Sequence, residues 1–321
     1  MKKVTIRVPA TTANLGPGFD AFGCALSLYT DVTFEETEYG LEITGCPEEF
    51  TGPDNLAYVS YCAALATMSE ELRGVKIHID AHIPICRGLG SSAALLVAGA
   101  MGANVLRGNR LSTQGLLNIT NAMEGHPDNL APAFYGGLTA SMVDNGLPVT
   151  VNFPLHPDWE ILALVPDFTL PTTKARAALP AQLPREDAVY NIAHGAMVLK
   201  ALELGDEKLL RNAMQDRLHQ PYRKSMIADY EKIEAMLPNP GEIIIPDVLD
   251  GILITSIKEK TFLNADTVLS VVIPDKVESY KVTVIGAEAF WANKKMTSVT
   301  IPDTVTKIEY AAFNECTSLT E

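Results

Sequence analysis

Positive charge is scarce in this sequence. Its 321 residues include 25 Lys and Arg against 39 Asp and Glu, a formal charge of −14, and its pI is near 4.9. Nucleic acid and anionic membrane both demand compensating Lys and Arg, so neither is expected as a partner. Cysteine is scarce as well. The five present, Cys24, Cys46, Cys62, Cys86 and Cys316, are odd in number and show no C-x-x-C spacing. That argues against a disulfide framework and a zinc site and fits reduced thiols in a cytoplasm. Long hydrophobic runs are missing too. The opening MKKVTIRVPATTANLG is broken by Arg7 and threonines, unlike a secretion leader. The longest nearly apolar run, Ala93 to Leu106, is broken by glycines and Asn104 and is too short for a bilayer. What remains is 47% hydrophobic and 20% charged, enough for a sizeable core and for two or three domains.

Periodicity gives the elements. Val75 to Ile83 reads VKIHIDAHI, with Val75, Ile77, Ile79, Ala81 and Ile83 on one face and Lys76, His78, Asp80 and His82 on the other. That alternation predicts a half-buried strand and already explains both histidines as solvated positions rather than metal ligands. A Gly- and Pro-rich loop follows, then a helix over Ser91–Val105 whose serines suit an N-terminus. Further helices are expected at Leu56–Glu71, Thr113–Glu124, Arg185–Leu204 and Tyr222–Leu237. Strands are expected near Val4–Pro9, Ala25–Thr37, Val149–Phe153 and Ile161–Val165. Strands and helices mixed without regular alternation predict an α+β fold.

Beyond Leu237 the texture changes. PNPGEIIIPD is a strong break, and a repeat begins. Ile-Pro-Asp starts at Ile245, Ile273 and Ile301, two intervals of 28 residues. Thr-x-Ile-x-x-x-x-Phe spans Thr255–Phe262, Thr283–Phe290 and Thr306–Phe313, at intervals of 28 and 23. A fixed period with fixed apolar positions predicts a solenoid in which each unit buries its Ile and Phe against the next. The segment SVVIPDKVESYKVTVIGAEAFWANKKMTSVTIPDTVTKIEYAAFNECTSLTE resembles the BspA-type leucine-rich repeats.

The stretch with chemistry is PICRGLGSSAA: Pro84, Ile85, Cys86, Arg87, Gly88, Leu89, Gly90, Ser91, Ser92, Ala93 and Ala94. Gly88 and Gly90 permit close backbone approach to a ligand, and the helix after them directs unpaired N–H groups and its positive end at the loop. A polyphosphate suits such a place; a plain tight turn is the alternative, and the Walker form is absent. This stretch is similar to the second motif of the GHMP kinases. Its companions resemble those of the homoserine kinase branch: VPATTANLGPGFDAFGCAL (Val8–Leu26), EGHPDNLAPAFYGGL (Glu124–Leu138), LPTTKARAALP and DRLHQPYR, in family order.

The resemblance implies an S5-like N-terminal ATP-binding domain at 1–154, a ferredoxin-like C-terminal domain at 155–237, truncated, and the repeats at 238–321. The activity implied is ATP-dependent phosphorylation of the L-homoserine side-chain hydroxyl on the path to threonine. That substrate is a zwitterion, which needs an acid for its ammonium and arginines for its carboxylate. By resemblance Asn14 and Asp20 face the amino acid and Arg176 and Arg223 clamp its carboxylate. Asp128 and Asn129 lie near the reacting hydroxyl, with His126 and Thr172 in the same pocket. Ser92 and Glu124 are the Mg²⁺ ligands expected beside ATP, and whether Asp128 acts as a base is left open. Taken singly, Asp20 reads equally as a helix cap, the arginines as solvated residues, and HPDN as a turn.

One family feature is missing. No third glycine motif of the G-A-G-P-T kind occurs between Tyr222 and Glu321, so a nucleotide-closing loop and the last strands of the C-terminal domain are expected to be absent. The sequence therefore supports a homoserine kinase or, as the alternative, a catalytically impaired kinase fragment fused to a repeat module that binds a protein or surface. A GHMP kinase for another alcohol fits the zwitterion-binding residues less well. A homodimer and a protein partner for the repeats stay open.

Overall fold

The computed structural model describes residues 2–161, 163, 165, 170–227, 242–244, 248–249, 252–253, 256–257, 261–262, 270–273 and 282–320. By contact the chain separates into two compact units, Met1–Arg223 and Lys224–Glu321.

The first unit is built on a six-stranded mixed sheet. β1 (Lys3–Ala13) and β2 (Phe22–Thr37) form a long antiparallel pair, Lys3 opposite Glu35 and Ala13 opposite Gly23. The other edge of β2 is shared. Its Thr30–Thr37 half pairs with β4 (Gly74–Ala81), and Phe22–Cys24 pairs with β5 (Leu138–Asp144). β3 (Leu41–Thr44) lies parallel to β4, and β6 (Leu147–Phe153) antiparallel to β5. In β1, Ile6, Val8 and Ala10 are buried while Lys3, Thr5 and Arg7 are exposed, so one sheet face carries the core. Against it pack α1 (Leu56–Thr67), α2 (Ser91–Leu106), α3 (Thr113–Glu124) and α4 (Leu130–Tyr135). The arrangement is α+β.

The strand expected over Val75–Ile83 ends at Ala81 and keeps its alternation as far as Asp80: Val75, Ile77 and Ile79 are buried and Lys76, His78 and Asp80 exposed, but Ala81, expected on the buried face, is exposed where the strand ends. His78 meets Thr44 Oγ1 at 2.9 Å. After β6 the described residues of the first unit hold only helices: α5 (Thr172–Ala177), α6 (Arg185–Leu204), α7 (Glu207–Ala213) and α8 (Gln220–Arg223). No strand of a ferredoxin-like sheet is found among them. The expected strand near Ile161–Val165 lies partly outside the described residues; Ile161, Ala163 and Val165 belong to no strand. Most of the expected helix over Tyr222–Leu237, and the break at PNPGEIIIPD up to Glu242, also lie outside them.

In the second unit β7 (Glu242–Ile244), β11 (Ser270–Val272) and β13 (Ser298–Thr300) pair in parallel, Ser270 lying opposite both Glu242 and Ser298. β8 (Val248–Leu249) and β9 (Ile252–Leu253) form a short antiparallel pair. β10 (Ser256–Ile257), β12 (Val284–Ile285) and β14 (Lys307–Ile308) form a second parallel ladder that places Ile257, Ile285 and Ile308 in register. The offsets are the 28- and 23-residue intervals of the sequence. Phe262, Phe290 and Phe313 stack at 5.0 and 5.1 Å, which is why the repeat spaces its phenylalanines as it does its isoleucines.

What positions the site is the seat of α2. Its C-terminal end is fixed by Arg107, which pairs with the inward-facing Glu36 of β2 and with Glu70 at 3.0 Å. Burial and the Glu36 charge push the neighbouring Tyr61 hydroxyl up to about 12. Midway, Gly99 sits against α1 so closely that a methyl group there would lie 2.0 Å from the Ala57 carbonyl oxygen and 2.1 Å from Ser60 Oγ. Alanine in place of glycine gains about 0.5–1 kcal/mol of helix propensity, but a clash with backbone forces α1 and α2 apart at about 1–3 kcal/mol. The clash wins. Gly99→Ala is expected to lower the urea midpoint without changing its slope; an equal or higher midpoint would show that this contact does not set the helix spacing.

Candidate active site

Between β4 and α2 the backbone turns through left-handed conformations at Cys86 (φ 56°), Gly88 (73°) and Gly90 (68°). Gly90 is the N-cap of the 16-residue α2 and offers it no side-chain cap, so the first N–H groups of α2 are left for an anion. A methyl group on Gly90 would stand 2.0 Å from Thr11 Oγ1 and 3.1 Å from Asn129 Oδ1. Thr11 donates its hydroxyl to Asn129 Oδ1 (2.8 Å) and its N–H to the Leu89 carbonyl (3.1 Å). The loop is thus tied at once to β1 and to the HPDN turn. Leu89, Ala93 and Ala94 are its buried anchors, while Ile85, Cys86, Gly88 and Ser92 are exposed.

Ser92, in the first turn of α2, donates to Glu124 Oε2 at 3.2 Å from the last residue of α3. The two residues expected to hold Mg²⁺ are therefore neighbours, and a hydroxyl beside a carboxylate is the hard oxygen set that this ion takes.

The substrate-side residues converge on a second cluster. Asn14 and Asp20 both hold left-handed φ, 59° and 54°, strain that clusters where side chains must be aimed. Asn14 Oδ1 accepts the Asp20 N–H at 2.9 Å. Asp20, His126 and Asp128 bring one ligand atom each within 4.8 Å of one another. Arg176, on α5, pairs with Asp20 at 2.5 Å, and Thr172 opens the same helix. Asp128 is buried; its Oδ1 meets His126 Nδ1 at 2.7 Å and accepts the Asn129 N–H at 2.9 Å. Its Oδ2 is buried with no hydrogen-bond partner. Arg223, at the end of α8, donates to the Ala175 carbonyl (3.3 Å) and has no carboxylate in ion-pair contact among the described residues. Burial first, then the charge of Arg176, push its pKa down. Two guanidiniums gathered together in this way call for an anion.

Sequence reasoning assigned no role to the residues that hold this cluster together. Asp216, buried, accepts N–H groups from Leu218 (3.1 Å), His219 (2.8 Å) and Gln220 (2.7 Å) and the side-chain amide of Asn191 (2.6 Å). It thereby fixes the start of α8, which ends in Arg223. Asn191 also donates to the Pro17 carbonyl (3.2 Å), and His219 Nε2–H to the Gly16 carbonyl (2.8 Å). Asp216 and His219 had only their place in DRLHQPYR as a signal, and Asn191 lay in none of the quoted segments.

The two histidines titrate in opposite senses. The Asp128 hydrogen bond raises His126 above its ordinary 6.5, against desolvation, whereas burial lowers His219 below it. Charged His126 adds stability below pH 6.5 that is lost as pH rises through its folded value; neutral His219 adds stability above 6.5 that is lost as pH falls through its own. Ring-proton NMR titration should place the two midpoints on either side of 6.5, and Asp128→Asn should bring His126 back down. A His126 midpoint unmoved by that change would refute the pairing as its cause.

Comparison with known proteins follows the same lines. A family model for the GHMP kinases N terminal domain matches residues 55–137, and one for the BspA type leucine rich repeat region matches residues 243–321 in six copies. A homoserine kinase of Clostridium botulinum is 42% identical over 231 residues, 72% of this chain and 78% of that protein. One of Trichodesmium erythraeum is 42% identical over 249 residues, 75% of this chain and 81% of that protein. The crystal structure of homoserine kinase from Cytophaga hutchinsonii superposes with a TM-score of 0.62 at 28% identity, covering 74% of this chain and 78% of that one. At that identity over nearly three quarters of its length, the chain belongs to the homoserine kinases of the GHMP kinase family.

Proposed function

We propose that the first unit transfers the γ-phosphoryl group of ATP to the side-chain hydroxyl of L-homoserine, giving O-phospho-L-homoserine for threonine biosynthesis in the cytoplasm. One observation carries this reading: the buried, partnerless Asp128 Oδ2 stands in a cluster that also holds Asp20, Arg176 and Arg223. A buried carboxylate oxygen without a donor costs about 1–3 kcal/mol or more, which a substrate hydroxyl satisfies. The Asp20–Arg176 pair is one that a zwitterion divides. Its ammonium takes Asp20 and its carboxylate takes Arg176 and Arg223, so each charge is re-paired and Arg223 gains an anion.

On the nucleotide side, the amides of the glycine loop and of the first turn of α2 hold phosphate oxygens, and Ser92 and Glu124 hold Mg²⁺. When bound there, the ion would supply charge neutralisation for the phosphoryl group. The contact from Thr11 through Gly90 to Asn129 fixes the loop relative to the hydroxyl site, so positioning is the main catalytic device. Asp128 accepts the hydroxyl proton or its hydrogen bond through Oδ2. Residues 238–321 are read as a leucine-rich-repeat solenoid, supported by the in-register parallel ladders and the family match.

A second reading, an impaired kinase joined to an interaction module, has its own support. After β6 no strand is found among the described residues of the first unit, and α6 leaves Val189, Ile192 and Met197 exposed. The purified 321-residue chain is expected to consume ATP only when L-homoserine is present, with kcat falling by about 100-fold or more in Asp128→Asn and on a similar scale in Ser92→Ala. Equal inactivity of all three folded proteins would sink the catalytic reading, and ATP binding without turnover would establish the second.

A further inference from the structure

The two arginines share a support. Phe19 lies in the loop between β1 and β2, immediately before Asp20. The guanidinium carbons of Arg176 and Arg223 stand 5.5 and 5.0 Å from the centroid of its ring. The His219 imidazole stacks on the same ring, with centroids 5.2 Å apart and planes at 27°. The ring is held from several directions. His219 and Asn191 clip the carbonyls of Gly16 and Pro17, and Asp216 fixes both of those side chains or their backbone.

Like charges brought together repel: after burial, the charge of Arg176 is what lowers the pKa of Arg223. An aromatic face answers that repulsion without neutralising either charge, because its quadrupole attracts a cation while leaving the guanidinium edges free to donate. A carboxylate in the same place would hold the arginines but compete with the substrate for their N–H groups. Among the described residues Asp20 forms an ion pair with Arg176 and not with Arg223, whereas the ring is in contact with both arginines.

We propose that Phe19 is a positioning residue that holds Arg176 and Arg223 together as a carboxylate clamp, and so sets the preference of this site for an amino alcohol bearing a carboxylate over one lacking it. The proposal rests on the reading of both arginines as carboxylate ligands. It differs from a merely structural role in what it predicts: loss of the ring harms only ligands that carry the carboxylate.

The test is calorimetric binding of L-homoserine and of 3-aminopropan-1-ol, the same amino alcohol without its carboxylate, to the full chain. Phe19→Leu is expected to weaken L-homoserine about tenfold while 3-aminopropan-1-ol changes by less than about twofold; Phe19→Tyr, which keeps the ring, restores the original ratio. Phe19→Met replaces Phe19→Leu should the latter not fold. In a turnover assay the same variant raises KM for L-homoserine with kcat nearly unchanged. A wild type that binds L-homoserine, with a variant in which both ligands weaken equally or neither does, overturns the clamp alone. A wild type that binds neither compound overturns the substrate reading and the clamp with it.

Discussion

The site depends on one crowded point, where the Thr11 hydroxyl, the Gly90 α-carbon and the Asn129 amide leave no room for a methyl group. Three segments distant in sequence meet there: the edge of β1, the start of α2, and the turn carrying His126 and Asp128. The glycine loop can present α2 to a polyphosphate only if α2 is fixed, and it is fixed twice more, against α1 at Gly99 and against β2 through Arg107. On the reading proposed above, the distance between a phosphate at α2 and an alcohol at Asp128 follows from packing rather than from any bond between the two. In a phosphoryl transfer, where there is little covalent work for the protein to do, that distance is most of what a fold can contribute.

Electrostatics explains why so acidic a chain can serve an anionic nucleotide and a carboxylate. The charge of −14 is a sum over the whole chain, while attraction is local: a helix end with uncapped N–H groups on one side and two arginines on the other. The Asp20–Arg176 pair and the cation contacts with Phe19 keep the arginines gathered in the absence of an anion. A clamp assembled in advance loses less side-chain entropy on binding than one that must be recruited from solvent.

Much of this was legible in the residues. α3 and α6 have the bounds that periodicity gives, Thr113–Glu124 and Arg185–Leu204, because each is long enough to nucleate and is closed by a glycine. α4 and β5 were not legible. Leu130–Tyr135 contains Pro132 and is followed by Gly136 and Gly137, which read as punctuation, and LTASMVD has no clean alternation; β5 is a strand because β2 and β6 lie on either side of it. α5, α7 and α8 are too short to nucleate alone and exist through tertiary contacts. The same limit hid Asp216, whose burial comes from Asn191 and the turn around it, although the segment around it was recognised.

The departure from the family is written most plainly in α6. Asn191, Gly195, Val198 and Ala201 form its buried face, while Val189, Ile192, Ala193, Ala196 and Met197 form an apolar face that is exposed. A helix apolar on both sides has the sequence of an element placed between two layers, and the outer layer is not found among the described residues of the first unit. The chain spans 78% of the Clostridium relative that it matches. The division between faces has a functional consequence. Asn191, which holds Pro17 and Asp216, lies on the covered side, so the contacts that aim the arginines do not use the bare one. On the reading proposed above, recognition of the amino acid therefore depends on α6 through its covered face, where Asn191 reaches Pro17 and Asp216.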